Sequence, residues 1–581
     1  LEIDPEFIIE NASYGVGDTW ADATEALRGK VVDGQLNIPR VWCDLVGDPA
    51  PDIGKVLRVT TSIRGREYTC EVPDGLPLEI DPEHLWKAGA LRLGIYRNVT
   101  AGGTFKVSLP IISGPENIQK DATSEIRGVV EDAKGKTVAK IKGAWEGRQA
   151  IWTVNPEALP PGEYKFRGSL KIEGLTVEGT ASFSRLAVLP EWKSSIDKHG
   201  RLIVDGKPFF PLGMFWWEFK PEYLALFAES PFNCLLPYTS SNPDFEPWSE
   251  KELDLVSAKG LKVIWALHNL FGDNKACLVN VGIAGVNTRE EERPAMEKMM
   301  KRFSSHPAII AWYVADEPTG KQPERIRDHL QWAREIDPTR PAYTVFMPLP
   351  QTPLEYAMPE LELFGVDPYP LPNRSALRKL IAELHPSREI ADLGGRSALH
   401  VPQAFHMGRY GTTPEAKAKQ RFPTPDELRS IFWTEIACGA NGLMGYALFE
   451  LVAMDTEMAP AGDKQGAMVR EQFAARWQTV CNVAKEIRDR IPMLLSIESF
   501  EQPTSTKAPE TAAWRGWGFQ GKTWLLLVNT DDKSDTAFEF AFAKPVKSAT
   551  LDLGEAGCLP KGKSFKATVP PLGVALVALE F

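Results

Sequence analysis

The stretch AIIAWYVADEPTG, residues 308–320, runs through eight mostly apolar residues straight into two adjacent acids, Asp316 and Glu317. A run of that length, apolar on both alternations, suits a strand buried on both faces of a parallel sheet. Seven further runs of the same kind occupy 209–215, 232–238, 262–268, 342–347, 361–367, 398–405 and 442–448, with the first part of the quoted stretch, 309–315, as the fourth of eight. Their starts are spaced by about 33 residues, close to one unit of a (β/α)8 barrel. Helical patterns fill the gaps. Ser249 followed by Glu252 is a capping-box signature, and Gly260 stops that helix before the next run. PERIRDHLQWAREIDPTRP, 323–341, reads as an amphipathic helix closed by Asp-Pro. Eight such alternations predict a closed TIM barrel over 191–493.

Outside these limits the period changes from helical to alternating. Residues 1–112 read as an N-terminal β-sandwich with turn signals at 47–49 and 101–103. Residues 113–190 read as a second sandwich that resembles an immunoglobulin-like or fibronectin-like module. Residues 494–581 return to β, with KTWLLLVNTDDKSDTAFEFAF read as two strands joined by a polar turn. The expected fold class is therefore multidomain, α/β and all-β, with a central (β/α)8 TIM barrel flanked by β-sandwiches.

Composition narrows the function. The 581 residues carry 66 basic and 77 acidic side chains, a net charge of −11, which speaks against nucleic acid as the main partner. No apolar run reaches the ~18 residues of a membrane-spanning helix. Seven cysteines (43, 70, 234, 277, 438, 481 and 558) form no CxxC pair, so neither a disulfide scaffold nor a zinc ribbon is expected. Cys43 and Cys70 could pair, though buried thiols suit them better. HExxH, GxSxG, Walker A and GxGxxG motifs are absent, and the eight histidines are not spaced as metal ligands, so no metal and no cofactor is expected. The acid-rich turn at 529–535 reads as solvated. Asn11, Asn98 and Asn373 head N-x-S/T triplets, a pattern common by chance. The first residue is Leu1; removal of a signal peptide would account for it and goes with a secreted or periplasmic location. Oligomeric state is not legible.

A barrel of this kind works at the C-terminal ends of its strands. Run four delivers Asp316 and Glu317. A helix N-cap would also place acids there, but the next helix begins several residues on, near Pro323. Run six ends in Asp367, with Tyr369 two residues later. Run three ends in His268 and Asn269, and run one in Trp216, Trp217 and Glu218. Run seven contains Gln403, and run eight brings Tyr446 and Glu450. Carboxyls at such positions suit general acid–base work, and tryptophan and tyrosine rings beside polar groups suit a sugar. A carbohydrate is the expected partner.

Trp312-x-x-x-Asp316-Glu317-Pro318 resembles the acid/base motif of the clan A glycoside hydrolases, (β/α)8 enzymes in which the Glu is the acid/base and a preceding Asn contacts the substrate 2-hydroxyl. GRLIVDGKPFFPLGMFWWE, 200–218, is similar to the run into strand one of family 2, 5 and 42-type enzymes. The resemblance makes Glu317 the acid/base and Asp316 its partner. It implies cleavage of a β-linked oligo- or polysaccharide, with Gln403, Tyr369, His268, Asn269, Trp216 and Tyr446 holding the sugar. One position departs from the pattern. The clan's nucleophilic Glu falls on Gln403, and an amide cannot be the nucleophile of a double displacement. Three readings remain open. Asp367, with Glu450 behind it, serves as second carboxylate. Alternatively Asp316 and Glu317 work as in the substrate-assisted N-acetylhexosaminidases of families 20 and 123. Or the barrel binds glycans without cleaving them.

Overall fold

The computed structural model describes residues 7–451 and 465–581, apart from 42, 51–54, 64–65, 75–77, 81–86, 89, 114–124, 147–148, 173–174, 241–247, 273–285, 319–322, 348–360, 372–373 and 406–420. Cys277 and Asn373 therefore lie outside the described residues. The chain divides into two compact units, Leu1–Gly94 with Asn98–Leu189, and Ile95–Arg97 with Pro190–Phe581.

The first unit is two sandwiches. In the first, the sheet Thr19–Asp22, Phe7–Val16, Val56–Ile63, Arg66–Pro73 packs on the short sheet Val31–Val32, Gln35–Ile38, Leu78–Ile80 around Tyr14, Leu36, Leu57 and Val59. Cys43 and Cys70 pack half-buried against this core. The expected boundary at 112 is corrected. Strand Phe105–Ser113 pairs with Gln149–Val154, and Val99–Thr100 with Leu175–Arg185, so both belong to the second sandwich. Alternation identifies a strand but not the sheet it joins. In this second sandwich Gly128, Gly168 and Gly179 stand opposite one another on three strands. A Cβ at Gly128 or Gly168 would come within 3 Å of the Trp152 ring, so the glycines make the seat for that indole.

The second unit holds the barrel. Its strands are β1 (Leu212–Trp216), β2 (Cys234–Pro237), β3 (Lys262–Ala266), β4 (Ile309–Asp316), β5 (Ala342–Phe346), β6 (Leu363–Val366), β7 (Ser397–Ala398) and β8 (Leu443–Gly445). They run parallel in sequence order, β1 pairs with β8, and single bridges His400–Leu443 and Gln403–Tyr446 join β7 to β8. Seven of the eight predicted runs contain most of one of these strands, and run seven meets its strand at Ala398 and continues as the bridges at His400 and Gln403. Among the described residues seven helices alternate with them: α1 (Pro221–Ala228), α2 (Glu250–Ala258), α3 (Arg289–Phe303), α4 (Pro323–Ile336), α5 (Arg374–Leu393), α6 (Pro425–Ala437) and α7 (Gln465–Arg488). None is long and apolar enough to cross a membrane. The Ser249–Glu252 capping box forms, and Gly260 takes φ +73° to end that turn.

Strand parity sorts the barrel's core in two. Met214, Trp216, Leu235, Trp265 and Trp312 face the helices, while Phe215, Leu236, Tyr238, Ile264, Tyr313 and Tyr343 fill the interior. Gly365 on β6 allows a close crossing inside. A Cβ there would sit 2.2 Å from the Leu399 carbonyl, which accepts from Tyr343 Oη at 2.7 Å. At the floor, buried Arg340 donates to the carbonyls of Ile309 and His306 and to Asp337. Arg97 joins the same floor, ion-paired to buried Glu362 at 2.7 Å.

The C-terminal sandwich packs against the barrel helices. Strand Lys522–Asn529 is apolar from Trp524 to Val528 because that part is covered on both faces. Leu525 and Leu527 enter the sandwich core, and Leu526 and Val528 enter the core shared with the helices. The expected two strands around the polar turn exist, but Lys522–Asn529 and Thr536–Phe542 lie in different sheets.

Candidate active site

Asp316 is the last residue of β4 and only 6% exposed. Tyr238, at the end of β2, and Tyr313, three residues earlier on β4, each donate a hydroxyl hydrogen bond to one of its carboxylate oxygens. Burial, and then the charge of Glu317, push its carboxyl up to about 7, against the opposing pull of the two tyrosines.

Glu317 follows with φ +42°, a left-handed conformation that a side chain bearing Cβ adopts at a cost. Its N–H donates to the Val345 carbonyl at 2.9 Å, which holds the turn on β5. Asp367, one residue beyond β6, lies close enough to Glu317 for the two carboxyls to act on each other. Asp367 is 6% exposed, its N–H donates to the Phe346 carbonyl, and its Oδ1 has no hydrogen-bond partner. Burial first, then the charge of Glu317 and the hydrogen bond to it, then Asp316, drive the Asp367 carboxyl well above the usual carboxylate range. Two neighbouring carboxyls disfavour carrying charge together, and here the buried Asp367 is the one whose charge is penalised.

His268 lies between Tyr238 and Tyr313, the two tyrosines that hold Asp316. Its ring stacks on Tyr238 at 4.3 Å, its two nitrogens have no partner, and burial lowers it to about 3, so it is a neutral imidazole. Asn269, next to it, is also buried. Around the opening stand half-buried Trp217, Tyr369, Tyr446 and Phe449, with Phe405 behind. Trp217 meets Phe449 at 5.1 Å, Tyr446 meets Phe449 at 5.4 Å, and Tyr369 meets Tyr446 at 6.0 Å. Glu450 is buried on the turn after β8.

Three sequence expectations change here. Trp216 is not at the opening. It points to the helix layer, against Phe227 and Trp248, and the alternation of β1 hands the platform to Trp217. Gln403 offers no free amide. Its Oε1 accepts from Leu371 N–H at 2.9 Å, and its Nε2 donates to the carbonyls of Leu371 and Phe405. It is a bracket for the loop after β6. Asp316 has both oxygens occupied by tyrosines and acts on its neighbour instead of reaching into the cleft. Glu218 turns outward to an ion pair with Lys220. Tyr238, Tyr313 and Phe449 are not singled out in the sequence; the first closes apolar run two and the last directly follows run eight.

Residues 247–352 match the family model described as glycosyl hydrolases family 2, TIM barrel domain. That segment spans α2 to β5 and carries Asp316 and Glu317. The barrel is thus a glycoside hydrolase barrel, and the chain a glycosidase. No curated protein matches the sequence. Among solved structures, a candidate alpha-galactosidase from Bacteroides fragilis aligns at TM-score 0.37 and 12% identity over 85% of this chain and 98% of that one. A β-D-glucuronidase from Dictyoglomus thermophilum aligns at 0.32 and 13% over 76% and 90%, and one from Ruminococcus gnavus at 0.30 and 10% over 77% and 92%. Likeness at this level says nothing about the substrate of this chain.

Replacing Gln403 with Leu, close in volume, removes three buried hydrogen bonds and strands the Leu371 amide. A loss of about 2–4 kcal/mol in thermal or urea unfolding is expected; an unchanged midpoint would deny Gln403 its bracketing part. Asp316 gives a pH signature. A carboxyl at 3.8 in the unfolded chain and about 7 in the folded one favours the fold fully below pH 4 and loses that contribution as pH rises to about 7. Asp316→Asn has no such proton to lose. Its melting temperature relative to wild type should climb between pH 4 and 7 and level off beyond; parallel curves would contradict the raised carboxyl.

Proposed function

We propose that the protein hydrolyses a β-linked oligo- or polysaccharide at the mouth of the barrel, with Glu317 and Asp367 as the catalytic carboxyl pair. The observation that carries this reading is the placing of these two carboxyls at the ends of β4 and β6, Asp367 buried and Glu317 half-buried, beside an aromatic-walled cleft. Glycoside hydrolysis needs one carboxyl protonated and one ionised on either side of the scissile bond. Carboxyls near enough to act on each other suit the short spacing of double displacement, about 5–5.5 Å, better than the ~6.5–9.5 Å that leaves room for a water in inversion. Retention of anomeric configuration is the expected outcome.

The sugar would lie against Trp217, with His268, Asn269, Tyr369 and Tyr446 at its hydroxyls. A neutral imidazole has one donor and one acceptor to offer, and both stand ready at His268. Resemblance of the strand-four motif gives Glu317 the acid/base part. Glu450 is the reserve for the second carboxylate. The substrate-assisted N-acetylhexosaminidase route is less well supported, because Asp316 would have to turn from two tyrosines to reach an acetamide. Binding without cleavage drew its motive from Gln403; with Asp367 close to Glu317, a second carboxyl is at hand.

The test is a hydrolysis screen of wild type, Glu317→Gln and Asp367→Asn on aryl β-glucosides, galactosides, glucuronides and N-acetylhexosaminides and on common polysaccharides. Wild-type activity that falls roughly 10²–10⁴-fold in both variants is expected. Activity lost with Glu317 but untouched by Asp367→Asn would move the second role to Glu450. Cleavage confined to N-acetylhexosaminides would favour the substrate-assisted route. Oligosaccharide binding by calorimetry with no cleavage at all would make the protein a glycan-binding barrel.

A further inference from the structure

A second cavity opens at the other end of the barrel, where the strands begin. It has a volume of about 420 Å³. Its walls are the hairpin turn 197–201, the end of α5, the turn into β8 and the strand Ala512–Phe519 of the C-terminal sandwich, all within the second compact unit. The volume falls in the range of small-ligand sites, about 300–1,000 Å³.

The lining is basic in an acidic chain. Lys198, Arg201, Arg388 and Arg515 stand against two acids, Asp392 and Glu498, in a protein of net charge −11. Arg201 is committed to Asp197 at 2.7 Å, and Arg388 holds Asp392 loosely at 3.5 Å. Arg515 spends its donors on neutral acceptors, the carbonyls of Ile436 and Ala440 at 3.2 and 3.0 Å and Asn441 Oδ1 at 3.2 Å. Removal from water pulls its guanidinium down to about 10, and neighbouring Arg388 adds to the drop against the pull of Asp392. Lys198 is exposed at the rim and makes no ion pair among the described residues. The cavity thus holds cationic charge that its own acids leave uncompensated.

The walls are fixed. The Asp197 carboxylate accepts from the amides of His199 and Arg201, and Asn441 Nδ2 donates to the Gly200 carbonyl at 2.9 Å. Half-buried Phe500 rests against Gly516, where a Cβ would come within 2.8 Å of the ring. An aromatic ring beside planar guanidinium groups suits a sugar ring that carries a carboxylate.

We propose that this cavity is a second binding site, separate from the barrel mouth, for a hexuronate sugar. Its carboxylate would meet Arg388 and Arg515, whose planar forks match two carboxylate oxygens, with Lys198 adding charge from the rim. The sugar ring would lie against Phe500. The site goes beyond the hydrolytic reading and does not depend on it, since none of the residues at the mouth belongs to it.

Calorimetric titration at low ionic strength tests this, with D-glucuronate, D-galacturonate and trigalacturonate as ligands and D-glucose and inorganic phosphate as controls. Binding of at least one uronate is expected, with none of glucose and weaker binding of phosphate. A trimer that binds more tightly than the monomers would identify the ligand as a residue within a chain; equal affinity would identify it as the free sugar. Trp217→Ala at the mouth should leave the affinity unchanged. Lys198→Glu and Arg388→Glu should each weaken it roughly 10–100-fold and leave hydrolysis at the mouth as in wild type. Melting temperatures check the fold. Arg388→Glu sets an acid near Asp392, so Lys198→Glu, at an exposed position, carries the comparison if that variant is unstable. Uronate binding absent, matched by glucose or phosphate, or lost in Trp217→Ala and kept in both charge variants would overturn the proposal. A failed hydrolysis screen would leave it standing.

Discussion

Two neighbouring carboxyl groups inside a protein disfavour carrying charge together, and the mouth of this barrel is arranged around that constraint. Glu317 and Asp367 directly follow β4 and β6, with β5 between them, and each is fixed through its own amide to a carbonyl of β5, Val345 and Phe346 respectively. The strand between is thus the ruler that sets their approach. A third acid, Asp316, stands next to the pair, and its charge would make the arrangement untenable if it were free. Two tyrosine hydroxyls occupy it, one from β2 and one from β4, and burial holds it partly protonated near neutral pH.

Precision at the mouth comes from parts that never meet a substrate. Gln403 stands where resemblance expects a nucleophile, yet its amide ties the loop after β6 to the end of β7. That loop carries Tyr369. Arg340 and Arg97 satisfy carbonyls and acids at the floor, where the strands begin. The helix layer is rich in tryptophan, with Trp216, Trp265, Trp312 and Trp433 all buried in it. Even the tryptophan of the strand-four motif belongs here, since Trp312 Nε1 donates to Asp337 at 2.9 Å.

Much of this was legible from the chain alone, for physical reasons. A strand buried on both faces must be apolar at every position, so the eight runs stood out, and strand ends located Asp316, Glu317, Asp367 and His268 together. What stayed hidden depends on parity and on pairing. A one-residue difference separates Trp216 from Trp217, and only the facing of β1 tells which looks inward. The sheet that Phe105–Ser113 joins is set by partners more than thirty residues away. Tyr238 and Tyr313 matter through their contact with Asp316, and no spacing in the sequence signals a bond between β2 and β4. Gln403 has the residue type of a sugar-binding amide, and its engagement with backbone atoms emerges only from the folded loop.

The most direct measurement of the central claim is an atomic-resolution crystal structure of the unliganded protein at neutral pH, read at one place. Carboxyl oxygens of Glu317 and Asp367 within hydrogen-bond distance, with unequal C–O bonds in Asp367 that mark a protonated acid, are the predicted result. Glu317 and Asp367 held apart by water or by a bound cation, with equal C–O bonds in both, would contradict it.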